Sequence, residues 1–253
     1  MGKDRYRGSV EIGLQLSDRP QRTLYGRRLG RPLRASRQVL VDRLLPEIEI
    51  GPPAGATDAD SALLDPAALF PGGPRAVWLE IGFGAGEHLA WQAQEHPETG
   101  FIGCEPFING IARLLTDIDR AGLGNIRLFR DDARLLLAAL PEASIARAFV
   151  LFPDPWPKTR HHKRRIIAPT TLPLLARVLA DGAELRVATD DPGYKSWILR
   201  HVRASGDFDW MARSPSDWRS RPSDWPPTRY EAKADAAGRT PAFFLFRRRL
   251  RSD

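Results

Sequence analysis

The residues with the clearest chemical potential follow a short apolar run. The run Ala76–Ile81 contains Glu80 and leads into three glycines at alternate positions: Gly82, Gly84 and Gly86. Glycines in such a turn let the backbone approach a ligand closely. A dinucleotide-binding turn has the spacing G-x-G-x-x-G and holds a pyrophosphate at a helix N-terminus. The spacing here is G-x-G-x-G with a carboxylate beside it, which favours a ligand with a cationic end, such as S-adenosylmethionine.

Two further carboxylates lie where the next strands should end. Glu105, 19 residues after Gly86, is placed to accept hydrogen bonds from both hydroxyls of a ribose, and Asp132 from an adenine amino group. A ribose carboxylate serves NAD and S-adenosylmethionine equally, so Glu105 does not discriminate between them. The alternatives are a helix cap for Asp131 or Asp132 and plain solubility for Glu105. As an ordered set with the glycine turn, these residues indicate a class I methyltransferase, with Glu80 facing the cofactor's cationic end directly or through water.

The most distinctive segment is a proline-rich loop, Phe-Pro-Asp-Pro-Trp-Pro-Lys, over residues 152–158. Its three prolines predict a stiff, non-helical loop at the end of a strand. Asp154 could accept hydrogen bonds from a base edge, and Trp156 could stack on a base or simply pack the loop. A basic run follows: Lys158, Arg160, Lys163, Arg164 and Arg165. We expect these cations to bind phosphates, although a solvated helix start is the alternative.

The positive charge of the chain is unevenly distributed. The formal net charge is +7 over 253 residues, and residues 1–43, with 11 basic and 4 acidic groups, hold all of this excess. Two smaller basic clusters lie in the neutral remainder, at residues 158–165 and at the arginines of the C-terminal tail: Arg247, Arg248, Arg249 and Arg251. Such clusters attract polyanions by releasing counterions from phosphate backbones, or form solvated faces that bind nothing.

Composition excludes several classes of protein. The single cysteine, Cys104, rules out an intrachain disulfide framework and a cysteine-based zinc cluster, and is expected to be a buried apolar residue. His161 and His162 lack a suitably spaced third ligand, so no metal is expected. No apolar run reaches 18 residues, and the charged N-terminus lacks a signal core. We expect a cytoplasmic protein with no membrane partner.

The elements that must position these residues alternate between strands and helices. The apolar pattern predicts strands at residues 76–81, 101–105, 126–129, 146–152, 183–188 and 242–249. It predicts helices at residues 87–95, 108–121, 133–140, 171–180 and 194–203. This alternation is typical of a Rossmann-like α/β fold, a mostly parallel sheet with helices on both faces and ligands at the carboxyl ends of its strands. Residues 76–253 are expected to form this domain, preceded by a basic extension with a Pro/Gly-rich connection over residues 1–75.

With these motifs in place, the sequence resembles the tRNA (guanine-N7-)-methyltransferase family. The shared motifs are the glycine turn at 80–87, the proline-rich loop with its basic run at 152–165, Ala-Thr-Asp at 188–190 and Thr-x-Tyr-Glu at 228–231. They occur in the family's order over about residues 76–250. The resemblance implies a class I fold with a seven-stranded sheet and methylation of N7 of the variable-loop guanosine at tRNA position 46.

The resemblance also implies roles for individual residues. The cofactor pocket would be lined by Glu80, Gly82, Gly84, Gly86, Glu105, Asp132 and Asp154, with Asp154 also catalytic. The substrate would be bound by Lys158, Asp190, Thr228, Arg229, Tyr230 and Glu231. Asp190 and Glu231 are candidates for binding guanine N1–H and its N2 amino group. The alternatives are capping of the next helix by Asp190 with Asp191, and a surface pair of Glu231 with Arg229 or Lys233. The chain departs from the expected pattern at 232–238, where Ala234 and Asp235 replace a more basic or glycine-containing loop.

The chemistry of N7 constrains what Asp154 does. N7 carries an exposed lone pair and no proton, so attack requires no general base. We expect Asp154 to orient the guanine or to stabilise the positive charge that develops on it.

Three other readings compete. A class I methyltransferase acting on another RNA base or a protein is one, although an Asp-Pro-Pro-aromatic loop would favour amino methylation and this loop is Asp154-Pro155-Trp156. A nicotinamide-dependent oxidoreductase is disfavoured by the glycine spacing and Glu80. A tRNA-binding protein without catalysis is disfavoured by the intact glycine turn and Asp154.

Overall fold

The computed structural model describes residues 25–51 and 63–251. Seven strands form one sheet in the order β3-β2-β1-β4-β5-β7-β6. They are β1 Ala76–Ile81, β2 Thr99–Cys104, β3 Ile126–Phe129, β4 Ile145–Leu151, β5 Leu179–Thr189, β6 Phe208–Trp210 and β7 Ala242–Arg248. Strands β1 to β5 run parallel, and β7 lies antiparallel between β5 and β6. The predicted Rossmann-like fold with a mostly parallel seven-stranded sheet is confirmed.

Nine helices are found among the described residues. They are α1 Ala35–Arg43, α2 Leu45–Ile48, α3 Glu87–Glu95, α4 Ile108–Ala121, α5 Ala133–Ala139, α6 Leu172–Val178, α7 Pro192–Ser205, α8 Ser216–Arg219 and α9 Arg229–Ala236. Short 3₁₀ turns cover Ala67–Leu69 and Thr159–Arg164. In the part of the chain that the structure describes, no helix is long and apolar enough to cross a membrane.

The sheet separates two apolar layers. On one face, Leu79 of β1 packs with residues of α5, α6 and α7, such as Leu136 and Ile198. On the other, Trp78 packs against residues of α3 and α4, such as Leu89 and Leu114. Because successive side chains of a strand point to opposite faces, Glu80 lies on the α3 side with Trp78, and Ile81 on the α5 side. This alternation decides which β1 side chains reach the site.

Three helix starts near the carboxyl edge of the sheet carry side-chain caps. Asp132 accepts a hydrogen bond from the Arg134 backbone N–H at 3.0 Å and caps α5. Asp191 accepts from Tyr194 N–H at 2.7 Å and caps α7, and Thr228 does the same for α9. Such oxygens satisfy backbone donors that have no partner inside the helix. Asp132 therefore does fill the capping role considered as its alternative, whereas the cap of α7 is Asp191 and not Asp190.

Part of the predicted N-terminal extension packs on the sheet. Leu45, Ile48 and Ile50 are buried, and Ile50 N–H donates to Leu128 O of β3 at 2.7 Å. Residues 1–24 and 52–62, which are part of the predicted basic arm and connection, lie outside the described residues. The domain division at residue 75 stays a prediction.

Candidate active site

An open cavity lies at the carboxyl ends of β1, β2 and β4, where the fold predicts a ligand. Its wall includes Ile81, Gly82, Cys104, Pro106, Asp132, Arg134, Asp154, Trp156 and Arg164, with Tyr25 from the N-terminal segment. Burial raises the pKa of the Cys104 thiol, so this side chain acts as an apolar part of the wall, as the sequence predicted.

The three glycines of the turn have different tasks. All three have left-handed backbone, with φ of 75° at Gly82, 61° at Gly84 and 80° at Gly86. A Cβ on Gly82, which lines the cavity, would meet no atom within 4 Å. A Cβ on Gly84 would lie 2.8 Å from the hydroxyl of Tyr230, and one on Gly86 would lie 2.7 Å from Leu114 Cδ1. Of the three, Gly82 faces the ligand space, while Gly84 and Gly86 allow the turn to pack.

Glu105 ties the glycine turn to the end of β2. Its Oε2 accepts from Gly84 N–H at 2.8 Å, and its Oε1 accepts from Phe107 N–H at 3.0 Å. Burial raises the pKa of the Glu105 carboxyl, and the two backbone N–H groups partly oppose that shift. Each carboxylate oxygen keeps a second lone pair, so the group remains able to accept from ligand hydroxyls.

Glu80 lies behind the turn and is absent from the cavity wall. Its side chain is buried, and its Oε2 is 2.7 Å from Nδ1 of His88 on α3. The alternation of β1 explains this position, because Ile81 is the neighbour that faces the cavity. The structure does not bring Glu80 together with Asp132 and Asp154 at the cavity surface.

Asp132 reaches the cavity but already has protein partners. Besides capping α5, its two oxygens each lie 3.1 Å from Nη1 of Arg134. Arg134 also lines the cavity, and nothing in the sequence pattern singled it out. A ligand amino group would share the Asp132 carboxylate with this guanidinium.

The proline-rich loop presents Asp154 from a strained backbone. Phe152 and Trp156, on either side of it, have φ of 50° and 44°. Left-handed backbone is costly for bulky residues and is concentrated at functional sites. Asp154 itself is exposed at the cavity wall. The loop therefore holds one carboxylate in a fixed position beside the ligand space.

Arg165 holds that loop from beneath, and its predicted role as a phosphate ligand is wrong. It is 2% exposed, and its Nε donates to Pro155 O at 2.8 Å. Its guanidinium lies over the rings of Tyr194 and Trp197, at 4.8 Å and 4.7 Å. A cation enclosed in this way cannot reach an RNA backbone. The sequence could not show this, because Arg165 is the last of several adjacent basic residues.

The other cations of the basic run differ in exposure. Lys158, Arg160 and Lys163 are exposed beside the loop. Arg164 is half-buried, lines the cavity, and lies 4.8 Å from the ring centre of Trp156 and 5.0 Å from that of Tyr25. The exposed basic surface beside the loop is thus narrower than the predicted run and consists mainly of these three side chains.

The motif at 228–231 folds back onto the glycine turn. The ring of Tyr230 stacks on Phe152, with centroids 6.3 Å apart and planes inclined by 16°. Arg229 Nε lies 3.6 Å from Glu87 Oε1, one residue after the glycines. The motif, the turn and the proline-rich loop, which are far apart in sequence, therefore meet at one place.

Asp190 and Glu231, the two carboxylates expected to bind guanine, each form an ion pair with an arginine. Asp190 Oδ2 lies 2.7 Å from Arg239 Nε, and Glu231 Oε1 lies 3.2 Å from Arg221 Nε. The partner of Glu231 is therefore neither Arg229 nor Lys233, the two considered from sequence. Its Oε2 is buried and has no hydrogen-bond partner among the described residues.

The C-terminal arginines are mostly engaged within the protein. Arg251 pairs with Asp181 and Glu142, and Arg249 pairs with Asp209. Arg248 Nε donates to Ala176 O at 2.8 Å. Three arginines of this cluster are therefore engaged within the protein, whereas Arg247 is exposed.

No group of three or more His, Cys, Asp or Glu side chains that could hold a metal ion occurs within residues 25–51 and 63–251.

The chain matches known proteins over most of its length. Residues 74–243 match the family model described as "Putative methyltransferase". A protein named tRNA (guanine-N(7)-)-methyltransferase from Rhodospirillum rubrum is 55% identical over 90% of this chain and 88% of its own. A protein of the same name from Paramagnetospirillum magneticum is 51% identical over 96% of this chain and 98% of its own.

Solved structures are much less similar. The 16S rRNA methyltransferase KamB is 14% identical with a TM-score of 0.49, over 70% of this chain and 89% of its own. The assignment rests on the sequence relatives: the chain belongs to the tRNA (guanine-N(7)-)-methyltransferase family.

Proposed function

We propose that this protein transfers the methyl group of S-adenosylmethionine to N7 of a guanosine in tRNA, at position 46 of the variable loop. The observation that carries the proposal is the meeting of three motifs beside the cavity, which two of them, the glycine turn and the proline-rich loop, help to line. The Phe152–Tyr230 stack joins the loop that presents Asp154 to the segment expected to bind substrate, directly over Gly84. The names of the relatives supply the substrate class.

The residues around the cavity fit S-adenosylmethionine, which supplies an electrophilic methyl group on a sulfonium. Gly82 provides open space at the wall, where any Cβ would project toward a ligand. Glu105 would accept from the ribose hydroxyls, and Asp132 would accept from the adenine amino group. Glu80, set behind the turn, would act on the cationic end through water or the turn itself. No phosphate-binding arrangement is needed, since this ligand carries none.

Asp154 provides a negative charge at the place where the guanine becomes cationic. N7 has no proton to lose, so a base is unnecessary. A fixed carboxylate lowers the free energy of the developing ring charge and requires no reorganisation during the reaction. The loop geometry at Phe152 and Trp156 and the anchor at Arg165 keep Asp154 in place.

Recognition of the guanosine would use the segment around Tyr230. The buried Oε2 of Glu231, which has no protein donor among the described residues, is an acceptor suited to guanine N1–H or N2. Asp190 would serve the same base edge after exchanging its pair with Arg239. Thr228 and Arg229 flank this edge, while Lys158, Arg160 and Lys163 would contact the phosphates near the target. The cytoplasm, where tRNA is modified, is the expected place of the reaction.

Methyl transfer to defined RNA tests the proposal. The protein, S-adenosylmethionine with a labelled methyl group and an unmodified tRNA transcript should yield labelled 7-methylguanosine on nucleoside analysis. A matched transcript with adenosine at position 46 should remain unlabelled. A different methylated nucleoside, or full labelling of the substituted transcript, would favour a class I enzyme acting on another base.

A further inference from the structure

A chain of buried polar side chains runs from the glycine turn to the substrate segment. Glu80, His88 and Gln92 are 3%, 3% and 1% exposed. Glu80 Oε2 lies 2.7 Å from His88 Nδ1, and His88 Nε2 lies 3.2 Å from Gln92 Nε2. Gln92 Nε2 also donates to the backbone oxygen of Asp224 at 2.9 Å.

The last of these contacts fixes the direction of all the others. A backbone oxygen only accepts hydrogen bonds, so the end of the Gln92 amide that faces Asp224 O must be its NH₂ group. The second hydrogen of this NH₂ group faces His88 Nε2, which must then be an acceptor. The imidazole proton is consequently on Nδ1, where it is donated to Glu80.

The surroundings of His88 keep this imidazole in place. Its ring lies 4.7 Å from that of Phe149 and 5.9 Å from that of Trp225, both in edge-on contacts. A buried carboxylate without a donor is strongly destabilising. His88 supplies that donor to Oε2 of Glu80 and leaves Oε1 without a bond to the imidazole.

We propose that His88 is a positioning residue for the cofactor: it holds the Glu80 carboxylate behind the glycine turn, from where Glu80 acts on the cationic end of S-adenosylmethionine through water or the turn itself. Gln92 sets the imidazole tautomer that this requires. The proposal rests on the proposed function, because it assigns Glu80 to that cofactor.

Gln92 also connects this helix to the loop that precedes the proposed substrate segment. Asp224, whose carboxylate is held 2.7 Å from Arg186 Nη1, lies only a few residues before Thr228. One amide thus anchors both the helix beside the glycine turn and the loop that leads to the substrate segment.

The tautomer is measurable without cofactor. Nitrogen-15 NMR of the imidazole in the full-length protein, with His88 identified by its loss in His88→Phe, should show a neutral ring protonated on Nδ1. Gln92→Leu removes the donor to Nε2 and should release this preference. A ring protonated on Nε2 in the wild-type protein would overturn the proposal, whatever the variants do.

The affinity of His88 variants for S-adenosylmethionine distinguishes a positioning role of the imidazole N–H from a packing role of its ring. His88→Phe keeps the aromatic contacts and removes the donor, whereas His88→Asn places an amide N–H at the position of Nδ1. Calorimetry should show affinity for S-adenosylmethionine reduced about tenfold in His88→Phe and largely restored in His88→Asn. The control is His96→Phe. His96 follows the last residue of the same helix, its ring is tilted against that of Trp78, and the variant should bind as wild type does.

The outcomes are distinguishable. Wild-type protein that does not bind S-adenosylmethionine would refute the proposed function itself. Wild-type binding with unchanged affinity in His88→Phe, or equal losses in His88→Phe and His88→Asn, would refute the role of His88 alone.

Discussion

Tyr230 covers Gly84: its hydroxyl lies 2.8 Å from the position that a Cβ on that glycine would take, while its ring stacks on Phe152. The substrate segment is therefore seated directly on the cofactor turn. Any change that enlarges position 84 must move Tyr230, and with it the segment that we propose binds the guanosine.

Gly84→Ala should therefore impair tRNA use more than folding. The left-handed φ of 61° costs an alanine about 1 kcal/mol, and the new methyl displaces Tyr230. Gly122→Ala is the matched control, since Gly122 has φ of 65° and open space around its Cβ. Urea denaturation should show similar losses of stability in both, while only Gly84→Ala raises the KM for tRNA. Equal KM values in the two variants would contradict the seating of Tyr230 on the turn.

Asp154→Ala should reduce kcat about 100-fold or more, because the fixed charge acts on the developing guanine cation. Affinity for S-adenosylmethionine should change by no more than about threefold, since the lost interaction belongs to the transition state. Asp154→Asn keeps the shape and removes the charge, and should be nearly as slow. Single-turnover kinetics and calorimetry measure the two effects. An alanine variant with near-normal turnover would remove Asp154 from the mechanism.

Lys158→Gln and Lys163→Gln, combined, should weaken tRNA binding and flatten its dependence on salt. The slope of log K against log salt should become shallower by about one for each phosphate that the protein no longer neutralises. Filter binding over a range of salt concentrations gives this slope, and affinity for S-adenosylmethionine should not change. An unaltered slope would place the phosphate-binding side chains elsewhere.

Arg165→Met should lower the stability of the protein without changing the salt dependence of tRNA binding. It removes the hydrogen bond to Pro155 O and the stacking on Tyr194 and Trp197, which should lower the free energy of unfolding by about 2 kcal/mol. The salt slope for tRNA should stay as in wild type. A stable variant with a shallower slope would return Arg165 to the RNA surface.

Affinity for S-adenosylmethionine should depend on pH through Glu105. Burial raises the pKa of this carboxyl above its ordinary value of 4.5, and only the ionised form can accept from both ribose hydroxyls. Affinity should therefore fall as pH decreases through a midpoint above 4.5. Calorimetry between about pH 5 and pH 8 measures it, and Glu105→Gln should flatten the curve. A wild-type curve that is flat over this range would separate Glu105 from the cofactor.

Strong local signals made part of the fold predictable. The bounds of β1, α3, α4 and β3 agree with the predicted ones, because apolar periodicity and turn residues mark both ends of each. Strand β6 has no such signal: it has only three residues and is a strand because it pairs with β7. Similarly, the predicted helix at 171–180 ends at Val178, because Leu179 already pairs with Ile145 of β4. Pairing between distant segments is not visible in a local window.

The candidate site was likewise predictable only in part. The order and spacing of the motifs predicted which segments meet, but not the direction of each side chain. Glu80 turns away from the cavity because of strand alternation, and Arg165 turns inward because the 3₁₀ turn Thr159–Arg164 ends just before it. The sequence did not point to His88 or Arg134, since a single histidine or arginine within a helix has no pattern of its own.

The position of β7 also determines when this protein can finish folding during its synthesis. β7 is an inner strand, yet it follows all the other described elements in sequence, and β5 and β6 both pair with it. A nascent chain that has not yet reached residue 242 therefore exposes the open edge of β5 and the apolar surface that Phe244 and Phe246 later fill. The half of the sheet that carries the glycine turn contains no residue of β7, whereas the half beside residues 228–231 is complete only after residues 242–248 have been made.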